Sequence, residues 1–363
     1  MPDLLHTGCH DWHVSHGGRM VDFAGWEMPV QYGSIVAEHH AVRRAVGLFD
    51  IAHMGRIRFT GADAASFLDA LVTNDVPGLA VGQIRYALVT NEQGGILDDV
   101  LVYRMADGHM LVVNASNRLK ILAWIERHRG KFKVTVEDLT AEQFMLALQG
   151  PLAQSLLQPL VDVDLSTIPY YFGTPTRVLK QPGFVSRTGY TGEDGFEVIV
   201  SAGRALAVWE SLIAAGTTKG LLPAGLGCRD TLRLEAGMPL YGHELNETID
   251  PFTAGMAFGV RLDGGDFPGR AALVAAKANP NRPRRVGIAL SGKRIAREGA
   301  LVFAGDREVG RVTSGTFSPT LEKSIAMAYV PADQAAVGTA LSVDIRGQRE
   351  PATVVKLPFY KRA

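Results

Sequence analysis

The order of strand-like and helix-like runs along this chain starts over near residue 141, and beyond 284 the helices stop. A chain of 363 residues is expected to hold roughly two to three domains of about 100–200 residues each, and the restart shows where they divide. In the first stretch, 34–46 reads as a helix with Ser34 as N-cap. A second helix is expected at about 63–72, where Ala64, Phe67, Leu68 and Leu71 recur at helical spacing behind Asp63. Strand-like runs follow at 84–90, 96–104 and 109–114, separated by turn chemistry at 91–95 and 106–108. A helix at 116–128 and a strand at 132–137 complete an α+β unit of antiparallel strands.

After the restart, 144–148 reads as a strand and 151–160 as a helix opened by Pro151. Strands near 184–187 and 196–200 flank a glycine-rich loop, and helices follow at about 202–215 and 223–236. The Gly-, Pro- and Asn-rich stretch 264–283 reads as a connection. From 284 to 357, short runs at 286–290, 309–314, 325–330, 341–345 and 352–355 with glycine turns predict a separate small β domain.

Hydrophobic residues make up 47% of the chain and charged ones 20%, enough apolar surface for sizeable cores. Lys and Arg number 37 and so do Asp and Glu, which argues against a nucleic-acid binder relying on a global positive field. Cys9 and Cys228 are far apart and no Cys-x-x-Cys occurs, so buried free thiols in a reducing compartment are expected. The N-terminal residues lack a basic segment followed by an apolar run, and no apolar stretch reaches membrane-spanning length. These features read as a cytoplasmic protein with no membrane or nucleic-acid partner. Glu38-His39-His40 lacks the His-Glu-x-x-His spacing and His53 stands alone, so no metal site is expected. No Gly-x-Ser-x-Gly nucleophile elbow is present.

Four stretches could carry chemistry. In Gly94-Gly95-Ile96-Leu97-Asp98-Asp99-Val100 two adjacent carboxylates interrupt an apolar strand. Neighbours on a strand point to opposite faces, so Asp98 and Asp99 cannot share a proton as a dyad. Each is either bonded into the scaffold or held for chemistry. In 186–197 three glycines permit tight turns and close backbone approach to a ligand, but they match neither a dinucleotide nor a P-loop fingerprint. Glu197 shares a strand face with Ile199 and calls for an arginine or for a ligand with two donors side by side. In 225–237, Arg229 and Arg233 fall on one helical stripe, able to bind a carboxylate or to staple neighbouring segments, with stapling favoured for Arg233. The tail 356–362 is aromatic and basic, either solvated or covering a cleft.

Together the segments 19–26, 49–55, 94–99, 189–197 and 229–237, in order and at family-typical spacing, resemble the aminomethyltransferases, the T-proteins of the glycine cleavage system. The resemblance runs from residue 6 to 362. It implies an α+β fold of three domains arranged as a cloverleaf around a folate channel. The first domain would be discontinuous, 1–51 with 139–240, the second would span 52–138, and the third 241–363, β-rich from about 284. It implies an enzyme that takes the methylene carbon of the aminomethyl group on the lipoyl arm of H-protein. That carbon would pass to tetrahydrofolate as co-substrate, releasing ammonia and forming 5,10-methylenetetrahydrofolate in glycine catabolism. By motif, Asp98 matches the family's catalytic aspartate and Glu197 the glutamate reading the pterin edge. Tyr190 would lie against the ligand, and Arg229 matches the binding arginine. Arg362 matches a tail arginine of some members, while Asn114, Tyr86 and Met54 are further pocket candidates. Two rivals share the superfamily: a tetrahydrofolate-dependent S- or O-demethylase, and a non-catalytic folate-binding iron–sulfur assembly factor. The latter's Lys-Gly-Cys-x-x-Gly-Gln signature is missing, since Cys228 stands in Gly-Leu-Gly-Cys-Arg-Asp.

Overall fold

The computed structural model describes residues 3–362. These residues form two compact units. The first comprises the chain up to Leu68, Val76–Tyr86 and Val100–Asp230, and the second comprises Asp69–Asp75, Ala87–Asp99 and the chain from Thr231.

The first unit contains a six-stranded sheet in the order Gly173–Val178, Gln181–Ser186, Gly195–Ser201, Gln143–Gln149, Val46–Asp50, Leu221–Pro223. All neighbours are antiparallel except the last pair, which is parallel. The central strands are buried along nearly their whole length, which is why they read as continuous apolar runs. Val46, Leu48, Phe144, Leu146, Leu148, Phe196 and Val198 pack with Trp209 and Leu212 of the helix Ala205–Gly216 in one core. Ser34 caps the helix Ile35–Arg44, its side chain accepting from Ala37 N at 3.4 Å.

A five-stranded sheet runs in the order Ile84–Thr90, Ile96–Met105, Gly108–Val113, Gly55–Thr60, Thr135–Asp138. The turn before Ile96 explains its two glycines. Asn91 Oδ1 accepts from the amides of Gln93 and Gly95, and Gly94 adopts φ +82°, where a side chain would be strained. A Cβ on Gly95 would stand 1.8 Å from the Glu247 carbonyl oxygen. One glycine therefore makes the turn and the other admits a second backbone.

The second unit contains a closed six-stranded barrel: Arg284–Leu290, Lys323–Val330, Arg307–Ser318, Leu301–Ala304, Ala340–Ile345, Gln348–Val355. Arg284–Leu290 pairs with both Lys323–Val330 and Gln348–Val355, so no edge is left open. Val286, Ile288, Val302, Val312, Ala328, Val343 and Val354 fill its core. Two α+β sheets with a C-terminal barrel make the α+β class expected from the sequence.

Several local expectations are corrected. The stretch 264–283 is not a plain connection, because Arg270–Ala278 is a helix whose Leu273 packs with Phe252 and Phe267. Its alanine-rich sequence has strong helix propensity, and the flanking Gly, Pro and Asn residues mask it. The barrel strand Leu301–Ala304 was not anticipated, being short and bounded by Gly299 and Gly305. The helix expected at 63–72 covers Ala64–Asp69, and the one expected at 151–160 is α-helical over Ala153–Leu157 and continues as a 3₁₀ turn. Among the described residues no helix is long and apolar enough to cross a membrane.

Candidate functional site

Glu197 is the focus of a polar cluster inside the first unit. It stands mid-strand between Ala147 on one neighbour and Ser186 on the other, and is 6% exposed. Thr188 Oγ1 donates to Glu197 Oε2 at 2.6 Å, and Tyr103 OH reaches the same oxygen at 3.4 Å. Ser186 Oγ lies 2.9 Å from Thr188 Oγ1. Burial raises the Glu197 pKa, while the Thr188 bond, the Arg229 charge and the Tyr103 bond act to lower it. An ionised carboxylate has about four acceptor positions. The described hydrogen bonds use only Oε2, so Oε1 faces neither hydroxyl.

Arg229 is half-buried on the helix Leu226–Glu235, its guanidinium carbon 4.9 Å from the Tyr190 ring centroid. That is cation–π range. Burial lowers its pKa while Glu197 and Tyr190 raise it, and an arginine stays cationic at neutral pH regardless. Arg229 supports ionised Glu197 across space, without a direct ion pair between them. Two glycines set the start of this helix. A Cβ on Gly225 would stand 2.4 Å from the Val30 carbonyl carbon, and one on Gly227 would stand 2.6 Å from Ile35 Cδ1. The Gly225 amide donates to Glu38 Oε2 at 3.0 Å, which anchors the turn.

His53 is buried with its Nδ1 unpartnered. Burial, then the Arg229 charge, pushes its pKa down to about 3, so it is neutral. Met54 beside it is half-buried, as are Tyr86 and Asn114. All three belong to the first unit with Glu197, Tyr190 and Arg229.

Two glycines of the 189–195 loop make room for a buried side chain, and the third, Gly192 at φ +82°, makes a tight turn. A Cβ on Gly189 would stand 2.0 Å from Gln149 Oε1, and one on Gly195 2.6 Å from Gln149 Nε2. Gln149 itself donates to the Thr188 carbonyl at 3.0 Å and accepts from Thr191 Oγ1 at 3.0 Å. The loop is wrapped around a buried glutamine, and it is braced by Arg43 on Glu193 and Arg187 on Asp194. Its polar links fix Tyr190 and Thr188 in place.

The remaining candidates lie in the second unit. Asp98 is fully buried and Asp99 half-buried, as alternation along Ile96–Met105 requires. Arg362 is exposed. The tail before it is not a solvated charge run: Leu357 and Phe359 pack against Leu234, Ile325 and Met327, and the Tyr360 amide donates to the Glu235 carbonyl at 2.8 Å. Arg233 is a staple, 2% exposed and bonded to Glu244 and Ser314.

Tyr103 and Thr188 were not singled out by sequence reasoning, and His53 was weighed there only as a metal ligand. Thr188 had a faint signal, two residues before Tyr190 in a distinctive loop; Tyr103 is 94 residues from the carboxylate it meets.

Residues 9–264 match the GCVT N-terminal domain, and residues 284–361 match the glycine cleavage T-protein C-terminal barrel domain. The aminomethyltransferase of Geobacillus thermodenitrificans is 49% identical over 364 residues, covering 99% of both chains. That of Saccharopolyspora erythraea is 47% identical over 359 residues, covering 98% of each. Among solved structures, the glycine cleavage system aminomethyltransferase T from Bartonella henselae superposes with a TM-score of 0.92 at 34% identity, covering 99% of this chain and 98% of that one. A fold of two α+β sheets and a barrel, with a buried carboxylate and an arginine in its first unit, thus coincides with a family of transferases. The chain belongs to the glycine cleavage T-protein family and is an enzyme of the aminomethyltransferase class.

Proposed function

We propose that this enzyme takes the methylene carbon of the aminomethyl group carried on the lipoyl arm of H-protein and passes it to tetrahydrofolate, releasing ammonia and leaving 5,10-methylenetetrahydrofolate. The observation that carries the folate reading is Glu197. A pterin edge presents a ring N–H beside an amino group, and a buried carboxylate with acceptor positions left over is its natural partner. Thr188 and Tyr103 hold the carboxylate from one side, Arg229 favours its ionised form, and Tyr190 offers a ring face close by.

Tetrahydrofolate, when bound, supplies the nitrogen nucleophiles that accept the carbon. The chain's own contribution is to orient that co-substrate through Glu197 and Arg229, and to present Asp98 to the developing positive charge. A carboxylate suits an iminium-like centre because it is negative and able to relay a proton. Arg362, matched to a tail arginine of some family members, and the pocket candidates Met54, Tyr86 and Asn114 complete the reading as lesser ligand contacts. A cytoplasmic setting accords with the chain's two buried free cysteines.

The test is an assay of the purified protein with aminomethyl-lipoyl H-protein and tetrahydrofolate, following ammonia. Asp98→Asn is expected to lower turnover by roughly 10²–10⁴-fold while folate still binds. Asp99→Asn, on the opposite strand face, is expected to retain most activity. Near-normal turnover in Asp98→Asn, or a reversed order of the two variants, would remove Asp98 from the mechanism.

A further inference from the structure

Away from the Glu197 cluster, three side chains converge on one point near the start of the chain. His6 Nε2 lies 3.1 Å and His10 Nε2 2.8 Å from Glu27 Oε2. The two imidazoles stack with centroids 3.7 Å apart and planes 2° from parallel. One ligand atom from each of the three residues falls within 4.8 Å of the others.

The backbone around them is held. Leu5 bridges the strand Trp26–Gln31: its amide donates to the Gly25 carbonyl at 2.9 Å, and its own carbonyl accepts from the Glu27 amide at 2.9 Å. This fixes His6 beside Glu27. His10 opens the helix His10–Ser15, whose Trp12 belongs to the sheet core. The side chains are exposed for His6 and half-buried for His10 and Glu27, so an ion could reach the point from solvent.

Proton accounting sharpens the geometry. His10 Nδ1 lies 3.0 Å from Asp11 Oδ1. Its other ring nitrogen, Nε2, faces Glu27 Oε2 at 2.8 Å, a distance that a hydrogen bond fills. With its N–H on Nδ1 toward Asp11, the ring would offer the Nε2 lone pair to an ion held together with Glu27 and His6. The arrangement carboxylate–imidazole–ion is the one in which an outer carboxylate fixes the tautomer of a metal-binding histidine.

We propose that His6, His10 and Glu27 form a binding site for a divalent transition-metal ion, with Asp11 positioning His10. Two imidazoles and a carboxylate suit zinc, cobalt or nickel and not magnesium or calcium, which take oxygen ligands. Zinc bonds of roughly 2.0–2.2 Å would place ligand atoms somewhat over 3 Å apart. Stacked rings aim their lone pairs in parallel, so the exposed His6 ring would have to swing out of the stack to meet an ion held by His10 and Glu27. A solvent molecule would complete the coordination. The sequence shows no metal spacing here because Glu27 comes from a different strand, far from the His6-x-x-x-His10 pair. The ion would tie the first residues to the strand Trp26–Gln31, and binding to the folded chain alone would add to its stability.

The experiment uses the untagged full-length protein, stripped with chelator and titrated with zinc chloride by calorimetry and with cobalt chloride by visible absorption. One ion per chain is expected, with cobalt bands of low coordination number, a zinc-dependent rise in melting temperature and no response to magnesium. His6→Ala/His10→Ala should abolish all three signals, and Asp11→Asn should weaken zinc binding by roughly 10–100-fold. Absence of binding overturns the proposal, as does binding that persists unchanged in the double variant.

Discussion

Arg229 and Arg233 occupy the same helix one turn apart, yet they are satisfied to different degrees. Arg233 Nη1 donates to Glu244 Oε2 at 3.0 Å and Nη2 to Ser314 Oγ at 2.8 Å. Glu244 in turn takes the Leu240 amide on Oε2 and the Thr313 hydroxyl on Oε1. Both of its oxygens are occupied by the protein. Arg229 lies over Tyr190 and acts on Glu197 only through space, while Glu197 engages the described residues through one oxygen. A buried ion pair that is closed on itself maintains the fold. A buried carboxylate left half-used, with a cation near it, is arranged to receive something else.

The largest effect should come from opening the closed pair. Arg233→Met leaves Glu244 buried and unpaired, which costs about 3–5 kcal/mol. Thermal unfolding should show a large fall in melting temperature and a poor soluble yield; an unchanged melting curve would break the contrast. Next is Glu197→Ala, where lost charged hydrogen bonds of about 1.5–3 kcal/mol should weaken tetrahydrofolate binding by roughly 10- to 100-fold. Calorimetry showing wild-type affinity would return Glu197 to the scaffold.

A third test reads pH. Burial holds the Glu197 carboxyl above the usual carboxylate range. The native state therefore binds this proton more tightly than the unfolded chain does. The contribution of this group to stability is greatest in acid and declines as pH rises from the unfolded value through the raised one. Glu197→Gln should thus have a slightly higher melting temperature than the wild type at neutral pH, with the gap closing on acidification, opposite in sign to Arg233→Met. Folate affinity in the wild type should fall as pH drops toward the raised value, and the variant should lack that fall. The smallest effect is expected from Arg229→Met. Losing its charge should move the same affinity profile to higher pH, because Arg229 is one of the groups opposing protonation of Glu197. A profile that stays in place would mean that Arg229 acts only on the ligand.

The legible parts of this molecule are those decided by neighbours in sequence. Ser34 capping its helix, the Asn91–Gly95 turn and the unequal faces of Asp98 and Asp99 all follow from residues a few positions apart. The family was legible as well, because five motifs recur in order. What surrounds Glu197 was not, since Tyr103 arrives from another strand and the hydroxyl chain through Ser186 and Thr188 depends on strand pairing. The helix Arg270–Ala278 was hidden by the composition of its flanks, and the closed nature of the Arg233 pair needed Ser314 and Thr313 from the barrel. Long-range satisfaction of polar groups is the information that periodicity does not carry.

Gln149 has a consequence for how this chain tolerates change. Its side chain fills the space that a methyl group on Gly189 or Gly195 would need. Positions 149 and 189 should therefore change together, with 195 coupled to them in part. Alanine at 189 alone should be poorly tolerated, and shortening residue 149 in the same molecule should relieve that clash, a coupling that the single changes would not add up to. At 195 the relief should be smaller, because the Leu148 carbonyl oxygen also stands 2.5 Å from an added Cβ. Gly192, with φ +82°, stands outside that coupling, because its constraint is backbone conformation and no change at position 149 can relax it.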